Sequence, residues 1–399
     1  MTAKGQHMRI SDVRGLGRLT VDATLGLTSL VEIVHHNILR TPAVLGKSTQ
    51  QPAQGITGFV YKSIRGVTRL VGGSIDLALG QLVPLLGDNI SSSEREAVLS
   101  ALNGILGDHL DASANPLTIP MQLWRAGKPL DLARDGLRGA TGKVLLMVHG
   151  LCMNDLQWRR NGHDHATALR ADGGFTPVYL RYNSGLHIST NGQALAGQIK
   201  ALLHAWPVPI EQLVIIAHSM GGLVTRSACH YGELSRHDWL QHLRHIVFLG
   251  TPHHGSPLER GGNWVDLILD ASPYTTAFAR LGKIRSAGIT DLRHGSLLDE
   301  DWKGKNRFAR SRRNRIVPLP SRVKCYAVAA SIADKGGGPV KRLLGDGLVP
   351  LDSALGRHAD PSKNLSFPKT RQWVGYGMNH MDLLDRAEVY ARLRRWLCA

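Results

Sequence analysis

The residue of this sequence best placed to do chemistry is Ser219, which follows directly after an apolar run. Residues 213–223 read LVIIAHSMGGL, so a predicted buried strand leads straight into the serine. Ala217 and Gly221 stand two residues before and after it, where a strained strand-to-helix turn has room only for small residues. A buried serine in an ordinary tight turn is the alternative. The strand–turn–helix context instead predicts that Ser219 Oγ projects as a nucleophile.

Two further motifs accompany this turn. An upstream apolar run ends in His149-Gly150, and GTPHHGS occupies residues 250–256. Together with AHSMGG, these motifs resemble bacterial lipases and related esterases of the α/β-hydrolase family. GTPHHGS is also similar to the lipase-like domain of GPI inositol-deacylases. The resemblance covers about residues 140–390, and Ala217 departs from a consensus glycine that some members of the family also replace by alanine. It implies a serine that acts with an aspartate and a histidine.

Two backbone N–H groups are candidates for an oxyanion hole. Met220 begins the helix predicted after the serine, so its N–H and the positive end of the helix dipole favour an oxyanion there. The resemblance implies the second donor, because the residue after the His-Gly pair supplies it in the family. That residue is Leu151 in this sequence.

The carboxylate of the implied triad is assigned to Asp346. It lies in LGDGLVP, after the strand predicted at KCYAVAAS, and the run resembles the aspartate loop of the family. Two flanking glycines leave its carboxylate open to an imidazole. Asp334 and Asp352 are the competing residues, but Asp334 follows the strand too soon and Asp352 is expected to cap a turn.

The base of the implied triad is assigned to His380, one of 19 histidines. It follows a strand predicted at Gln372–Tyr376, and NHMDLL resembles the histidine loop of the family. His358 is the runner-up, although no strand precedes it. His253 and His254 precede the aspartate, which is the wrong order for this fold.

No metal and no cofactor are expected. In some bacterial lipases an aspartate two residues after the catalytic histidine binds calcium, and Asp382 occupies that position. A second aspartate at the family's spacing is missing. We therefore predict that Asp382 is a helix N-cap.

The elements that must position these residues are strands alternating with helices. Mostly apolar runs predict the strands, and two segments, roughly Gly192–Ala205 and Gly221–His230, predict helices between them. Strands this apolar indicate a parallel sheet that is covered on both faces. With the resemblance, this pattern predicts an α/β-hydrolase fold with a mostly parallel central sheet and helices on both faces. The predicted strands are Lys143–His149, Thr176–Tyr182, Gln212–His218, His245–Gly250, Lys324–Ala329 and Gln372–Tyr376.

The predicted organisation has two parts that meet at Asn115-Pro116. Residues 1–115 form a helical accessory region, and residues 116–399 form the catalytic domain. About seventy residues separate the strands that end at Gly250 and begin near Lys324, more than a crossover needs. We therefore predict a cap or lid at about residues 255–320, above the carboxyl ends of the strands.

The accessory region shows narrow charged stripes on otherwise apolar helices, over about residues 18–40 and 62–76. A third helix is predicted to begin at Ser91–Ser93, where Ser93 and Glu96 fit a capping box. Such apolar faces must be covered, either by packing against protein or by docking on lipid. Packing is the favoured interpretation.

The net charge of +17 suggests an anionic partner. Residues 303–324 hold nine lysines and arginines and no acidic residue, so we call this segment the basic patch. Peripheral contact with an anionic membrane or lipid surface is the expected role. A nucleic-acid partner is not expected, because no nucleic-acid motif accompanies the patch and Phe308 is the one aromatic residue within Arg307–Arg315.

The four cysteines are far apart and form no CxxC pair, which favours reduced thiols in a cytoplasmic protein. A secretory signal and a run of 18 apolar residues are both missing. Peripheral attachment to a membrane remains compatible with this location.

Taken together, the sequence predicts a serine hydrolase that cleaves carboxylic esters, a lipase or esterase, through an acyl-enzyme. Ser219, Asp346 and His380 would form the triad, and acyl-ester or lipid substrates would be the partners. The alternatives are a thioesterase or acyltransferase with the same triad, and an inactive lipid-surface-binding protein of the same fold.

Overall fold

The computed structural model describes residues 14–15, 17–18, 93–132, 137–256, 286–306, 314–334 and 345–398. Contacts divide the chain into two units, Met1–Arg95 with Leu110–Thr118, and Glu96–His109 with Ile119–Ala399. In the first unit, the Arg18 guanidinium donates to the Ala114 carbonyl at 2.9 Å. The stripes predicted at about residues 18–40 and 62–76 lie outside the described residues, apart from Arg18. The predicted division at residues 115 and 116 stays a prediction.

The second unit contains one sheet of eight strands in the order β2-β1-β4-β3-β5-β6-β7-β8. Strands β3 to β8 run parallel, and β1 pairs antiparallel with both β4 and β2. The sheet is therefore mostly parallel, as predicted. The strands are β1 (Gln122–Arg125), β2 (Lys128–Pro129), β3 (Lys143–Val148), β4 (Thr176–Arg181), β5 (Gln212–His218), β6 (Leu243–Leu249), β7 (Lys324–Ser331) and β8 (Gln372–Tyr376).

Seven α-helices are described. They are α1 (Ser93–Ala112), α2 (His165–Gly173), α3 (Ile188–His204), α4 (Met220–Leu234), α5 (Ala287–His294), α6 (Leu351–Ala354) and α7 (Ala387–Leu397). Helices α3 and α4 pack against each other on one face of the sheet, and α2 packs against α7 on the other. The prediction of helices on both faces is confirmed.

The core explains why the strands read as continuous apolar runs. Alternate residues of β3, β5 and β6, such as Met147, Ile216 and Leu249, meet α2 and α7 in one buried cluster. Their neighbours Leu146, Ile215 and Phe248 are equally inaccessible to solvent on the opposite face. A strand buried on both faces needs apolar residues at every position, so it shows no alternation.

Helix α3 begins earlier than the sequence pattern predicts. The predicted start is Gly192, whereas the helix begins at Ile188 and its N-cap residue His187 offers no side-chain cap. The missing acceptor comes from helix α5, because the buried Asp291 carboxylate accepts the Ile188 N–H at 3.1 Å. A cap from about a hundred residues away leaves no local signal.

The predicted cap or lid at about residues 255–320 is described only at 255–256, 286–306 and 314–320, so it stays a prediction. Residues 307–313 of the basic patch, with four of its nine cations, also lie outside the described residues. Of its described members, Arg315 faces Glu300 at 3.3 Å and Lys303 pairs with Asp299 at 2.7 Å. Over the described part of the chain, no helix combines the length and the hydropathy needed to cross a membrane.

Candidate active site

Ser219 occupies a strained turn at the carboxyl end of the central strand β5. Its backbone has φ 54° and ψ −126°, a conformation that a non-glycine residue adopts at a cost of about 1–3 kcal/mol. The strand ends at His218 and α4 begins at Met220, so one residue makes the whole turn. A Cβ on Gly221 would overlap the His149 carbonyl oxygen, so only glycine lets α4 begin this close to β3.

The His149-Gly150 pair lies beside the serine. A Cβ on Gly150 would stand 3.0 Å from Ser219 Cβ, so any other residue would crowd the serine. The His149 ring stacks on Tyr182 with 4.3 Å between centroids, and its Nδ1 bonds the Gly150 carbonyl at 2.8 Å. Burial lowers the pKa of His149 to about 3, so its ring is a neutral structural group.

Asp346 and His380 form a buried pair, with 2.6 Å between Asp346 Oδ2 and His380 Nδ1. The other oxygen of Asp346 accepts the N–H groups of Leu348 and Val349 at 3.0 and 2.8 Å. The backbone N–H of His380 also donates to the Asp346 carbonyl at 3.1 Å. The carboxylate is thereby fixed in one orientation and fixes the imidazole in turn.

One apolar pocket joins Ser219 to His380, and both residues line it. The far nitrogen of the imidazole, His380 Nε2, is buried and has no hydrogen-bond partner among the described residues. Its neighbour Asp346 engages Nδ1, so Nε2 is the nitrogen left to exchange a proton at the pocket. The other lining residues are mostly aliphatic, among them Met153, Leu292, Val349 and Met381.

Two backbone amides are buried without an acceptor next to this pocket. Leu151 and Met220 are 3% and 0% exposed, and neither N–H donates to another described residue. Buried amides are nearly always paired, so two free ones beside Ser219 are available to an oxygen of a bound molecule. An oxyanion hole requires N–H groups that are not already bonded, so these two amides remain its candidates.

The comparisons with known proteins agree with this architecture. Residues 139–324 match the family model described as the PGAP1-like alpha/beta domain. The chain has the α/β-hydrolase fold. No curated protein matches it.

Solved structures similar to this hydrolase fold include two lipases and a thioesterase. The mature lipase BlEst2 of Bacillus licheniformis is 17% identical, with 70% of this chain and 100% of that chain covered and a TM-score of 0.42. Lipase B of Aspergillus fumigatus is 12% identical, covering 70% and 56%, with a TM-score of 0.42. The thioesterase RedJ of the prodiginine pathway of Streptomyces coelicolor is 16% identical, covering 69% and 94%, with a TM-score of 0.36.

A second histidine of the candidate site, His218, was missed by sequence reasoning. Its Nε2 lies 3.2 Å from the His380 carbonyl oxygen, and the two rings are 4.5 Å apart. Burial lowers the pKa of His218 well below its usual value, so the neutral ring donates from Nε2 and holds the His380 loop against β5. Its place directly before the serine was the available signal.

The competing residues lie elsewhere. Asp334 is exposed, and the Asp352 side chain is 64% exposed beside Arg357. His253 is buried against Phe248 and the Arg226 guanidinium. Among the described residues, none of these groups lines the pocket that holds Ser219 and His380.

The prediction that Asp382 is a helix N-cap is wrong. Asp382 lies inside a 3-10 turn, Met381–Leu384, and its carboxylate accepts the Asn379 N–H at 2.8 Å. Helix α7 begins later, after Arg386. Asp382 therefore braces the loop that carries His380. In the described part of the chain, no cluster of three His, Cys, Asp or Glu residues could hold a metal ion, and the expectation of no metal stays a prediction.

Proposed function

We propose that this chain is a serine hydrolase of carboxylic esters, a lipase or esterase, with Ser219, Asp346 and His380 as its catalytic triad. The observation that carries the proposal is the pocket that Ser219 and His380 both line, with Asp346 engaging His380 Nδ1 and no described residue bonded to His380 Nε2. A hydroxyl is a weak nucleophile until an oriented base takes its proton. These three residues supply that combination in the chain order typical of the fold.

In the proposed reaction, Ser219 Oγ attacks the carbonyl carbon of the ester and His380 Nε2 takes the hydroxyl proton. The carbonyl oxygen becomes an oxyanion and accepts the N–H groups of Leu151 and Met220. Collapse of this intermediate breaks the bond to the alcohol oxygen, which leaves with the proton from His380. Water then attacks the acyl-enzyme by the same route, releasing the acid and restoring Ser219.

The substrate proposed for this site is an ester with an apolar acyl group, such as a lipid. The aliphatic side chains of Met153, Leu292 and Val349 surround the space beside Ser219. Burial of methylene groups against such a wall stabilises the complex by about 0.8 kcal/mol for each group. A charged acyl chain would lose its hydration there without gaining a partner.

The same triad would also serve a thioesterase or an acyltransferase. A further alternative is an inactive protein of the same fold that binds lipid surfaces. A thioesterase differs in the leaving group and an acyltransferase in the acceptor, whereas both use the same acyl-enzyme. The discriminating observations are the leaving group preferred and the fate of the acyl group.

We expect purified protein to hydrolyse p-nitrophenyl esters, with kcat/KM rising as the acyl chain lengthens from acetate until the pocket is filled. Adding a primary alcohol at increasing concentration tests transfer, because an acyltransferase would form the new ester at the expense of the free acid. Acyl thioesters of matched chain length form the second arm. A kcat/KM for the thioester far above that of the matched ester would favour the thioesterase.

We further propose that the basic patch holds the enzyme at an anionic lipid surface. Each cation near an anionic leaflet contributes about 1 kcal/mol, and the attraction fades within a Debye length. The protein should therefore sediment with anionic vesicles of phosphatidylserine and phosphatidylcholine at low salt, and less with phosphatidylcholine alone. Replacing Arg310, Arg312 and Arg313 by glutamine should weaken that binding. Equal sedimentation with both vesicles, unchanged in the variant, would remove the membrane role.

A further inference from the structure

Helix α1 lies outside the matched family segment, yet its residues Glu96–His109 belong to the unit that holds the sheet. One face of α1 contacts the loop of residues 150–155, which follows β3 and contains the candidate oxyanion donor Leu151. We call this segment the oxyanion loop. Its contacts with α1 are polar at one end and sterically tight at the other.

The polar contacts centre on Arg181, at the end of β4. Its guanidinium pairs with Glu96 of α1 at 2.7 Å and with Asp155 of the oxyanion loop, and it lies 3.7 Å above the Trp124 ring. The side chains of all three charged residues are less than a tenth exposed. A buried charge that loses one partner strongly destabilises the fold. This ion-pair network of Glu96, Arg181 and Asp155 therefore fixes its members in place.

Neutral hydrogen bonds continue the same attachment. The Asn154 side-chain amide donates to the Glu96 carbonyl at 3.1 Å and to Ser100 Oγ at 2.9 Å. Both acceptors belong to the first turns of α1. Because Asn154 binds the helix directly and Asp155 is linked to it through Arg181, the end of the oxyanion loop is coupled to α1.

The sterically tight contact lies directly beside Leu151. A Cβ on Gly104 of α1 would overlap Cys152 Sγ and stand 3.0 Å from both Cys152 Cα and Cys152 N. Cys152 has φ 59°, which a non-glycine residue keeps only where its surroundings enforce it. Its N–H also donates to Ser184 Oγ at 3.0 Å. Burial raises the pKa of the Cys152 thiol to about 12, so the thiol is a packing group and not a second nucleophile.

We propose that helix α1 is a positioning element for the oxyanion hole: through Gly104 against Cys152, and Glu96 with Arg181 and Asp155, it fixes where the Leu151 N–H points. This inference rests on the proposed function. It adds residues far from the serine in sequence that act through the oxyanion loop without touching the substrate. Removing one oxyanion donor lowers kcat by about 10²–10³, so displacing it should remove a part of that.

The test is Gly104→Ala, which adds one methyl group against Cys152. We measure kcat for p-nitrophenyl butyrate per active site, with the active sites counted by fluorophosphonate titration. We expect kcat to fall about tenfold to a hundredfold, with KM changed far less. The inhibition constant of a trifluoromethyl ketone should rise by a similar factor, because its hemiketal oxyanion uses the same N–H groups. Loss of folded protein alone would lower the titrated count and leave both constants unchanged.

Two matched variants accompany it. Gly197→Ala in α3 makes the same substitution at a helical glycine with open space around its Cβ position, and should leave kcat and the inhibition constant unchanged. Cys152→Ala in the Gly104→Ala background removes the overlapping sulfur and should restore most of the lost kcat. If Gly104→Ala does not fold, Glu96→Gln decides instead, with kcat expected about threefold to tenfold lower and the inhibition constant raised to match.

The outcomes separate this inference from the proposed function. If wild type shows no Ser219-dependent labelling, the proposed function fails. If wild type is labelled and active while Gly104→Ala matches it in both constants, only the role of α1 fails. A loss of kcat with an unchanged inhibition constant, or an equal loss in Gly197→Ala, would also overturn that role.

Discussion

Ser219→Ala is expected to lower ester hydrolysis by about four to six orders of magnitude and to abolish labelling by a fluorophosphonate probe. The proposed route forms its covalent bond through Ser219 Oγ, so without that oxygen only the weak catalysis of the oxyanion hole and binding remains. The variant should lose activity without losing stability. The described structure gives the Ser219 side chain no hydrogen bond, so the substitution by alanine removes none. Labelling is read on a gel and hydrolysis with p-nitrophenyl butyrate.

Ser256→Ala is the matched control for this experiment. Ser256 lines the same pocket, but its hydroxyl donates to the Leu348 carbonyl and is far from the strained turn in sequence. The Ser256→Ala variant should be labelled as wild type is. If labelling instead disappears with Ser256 and survives the loss of Ser219, the nucleophile is misassigned.

Asp346→Asn is expected to fold normally and to lose about three to four orders of magnitude in kcat. In the variant, an amide stands where the carboxylate engages His380 Nδ1. The amide can present its N–H₂ group to the ring and so favour the tautomer with the proton on Nε2. A ring protonated there cannot take the proton of Ser219. Steady-state kinetics with p-nitrophenyl butyrate measure the loss, and circular dichroism checks the fold.

The two competing aspartates supply controls for that variant. Asp334 and Asp352 are exposed and line no part of the pocket in the described structure, so their asparagine variants should keep nearly full activity. A near-normal rate for Asp346→Asn together with a large loss in either control would move the carboxylate role to that residue.

The sheet and the serine turn could be predicted because their signals are local. Strand β8 has the bounds that the sequence pattern predicts, and β5 leads into Ser219 as expected. The turn requires small residues at fixed offsets, and the overlap that a Cβ on Gly221 would cause shows why. The overlap is with the distant strand β3, but the small residues it demands stand at fixed offsets from the serine, so a single sequence shows them.

The contacts of α1 could not be predicted, because they join distant parts of the chain. Glu96 and Arg181 are separated by 85 residues, and the residues around each of them do not indicate that the two side chains pair. Glu96 was interpreted only as part of a capping box at the start of its helix. A buried ion pair of this kind follows from the tertiary packing of the helix and not from the propensities of its residues.

The error at Asp382 has the same origin. An aspartate shortly before a C-terminal helix fits an N-cap by composition, and the local rule assigned it so. The chain instead makes a 3-10 turn first, in which the Asp382 side chain accepts the Asn379 N–H. The residue types of such a short turn do not predict its hydrogen bonds, because these bonds depend on the position of the loop in the folded protein.

The place of His380, after the last strand of the sheet, also sets when the protein can first act during its synthesis. The serine turn leaves the ribosome 161 residues before the histidine, an interval of roughly 8 to 32 s at usual translation speeds. Throughout that interval the nascent chain holds the hydroxyl without its base. Ester cleavage by the proposed triad therefore waits until His380 has been translated, and fragments from translation interrupted upstream of His380 lack the proposed base.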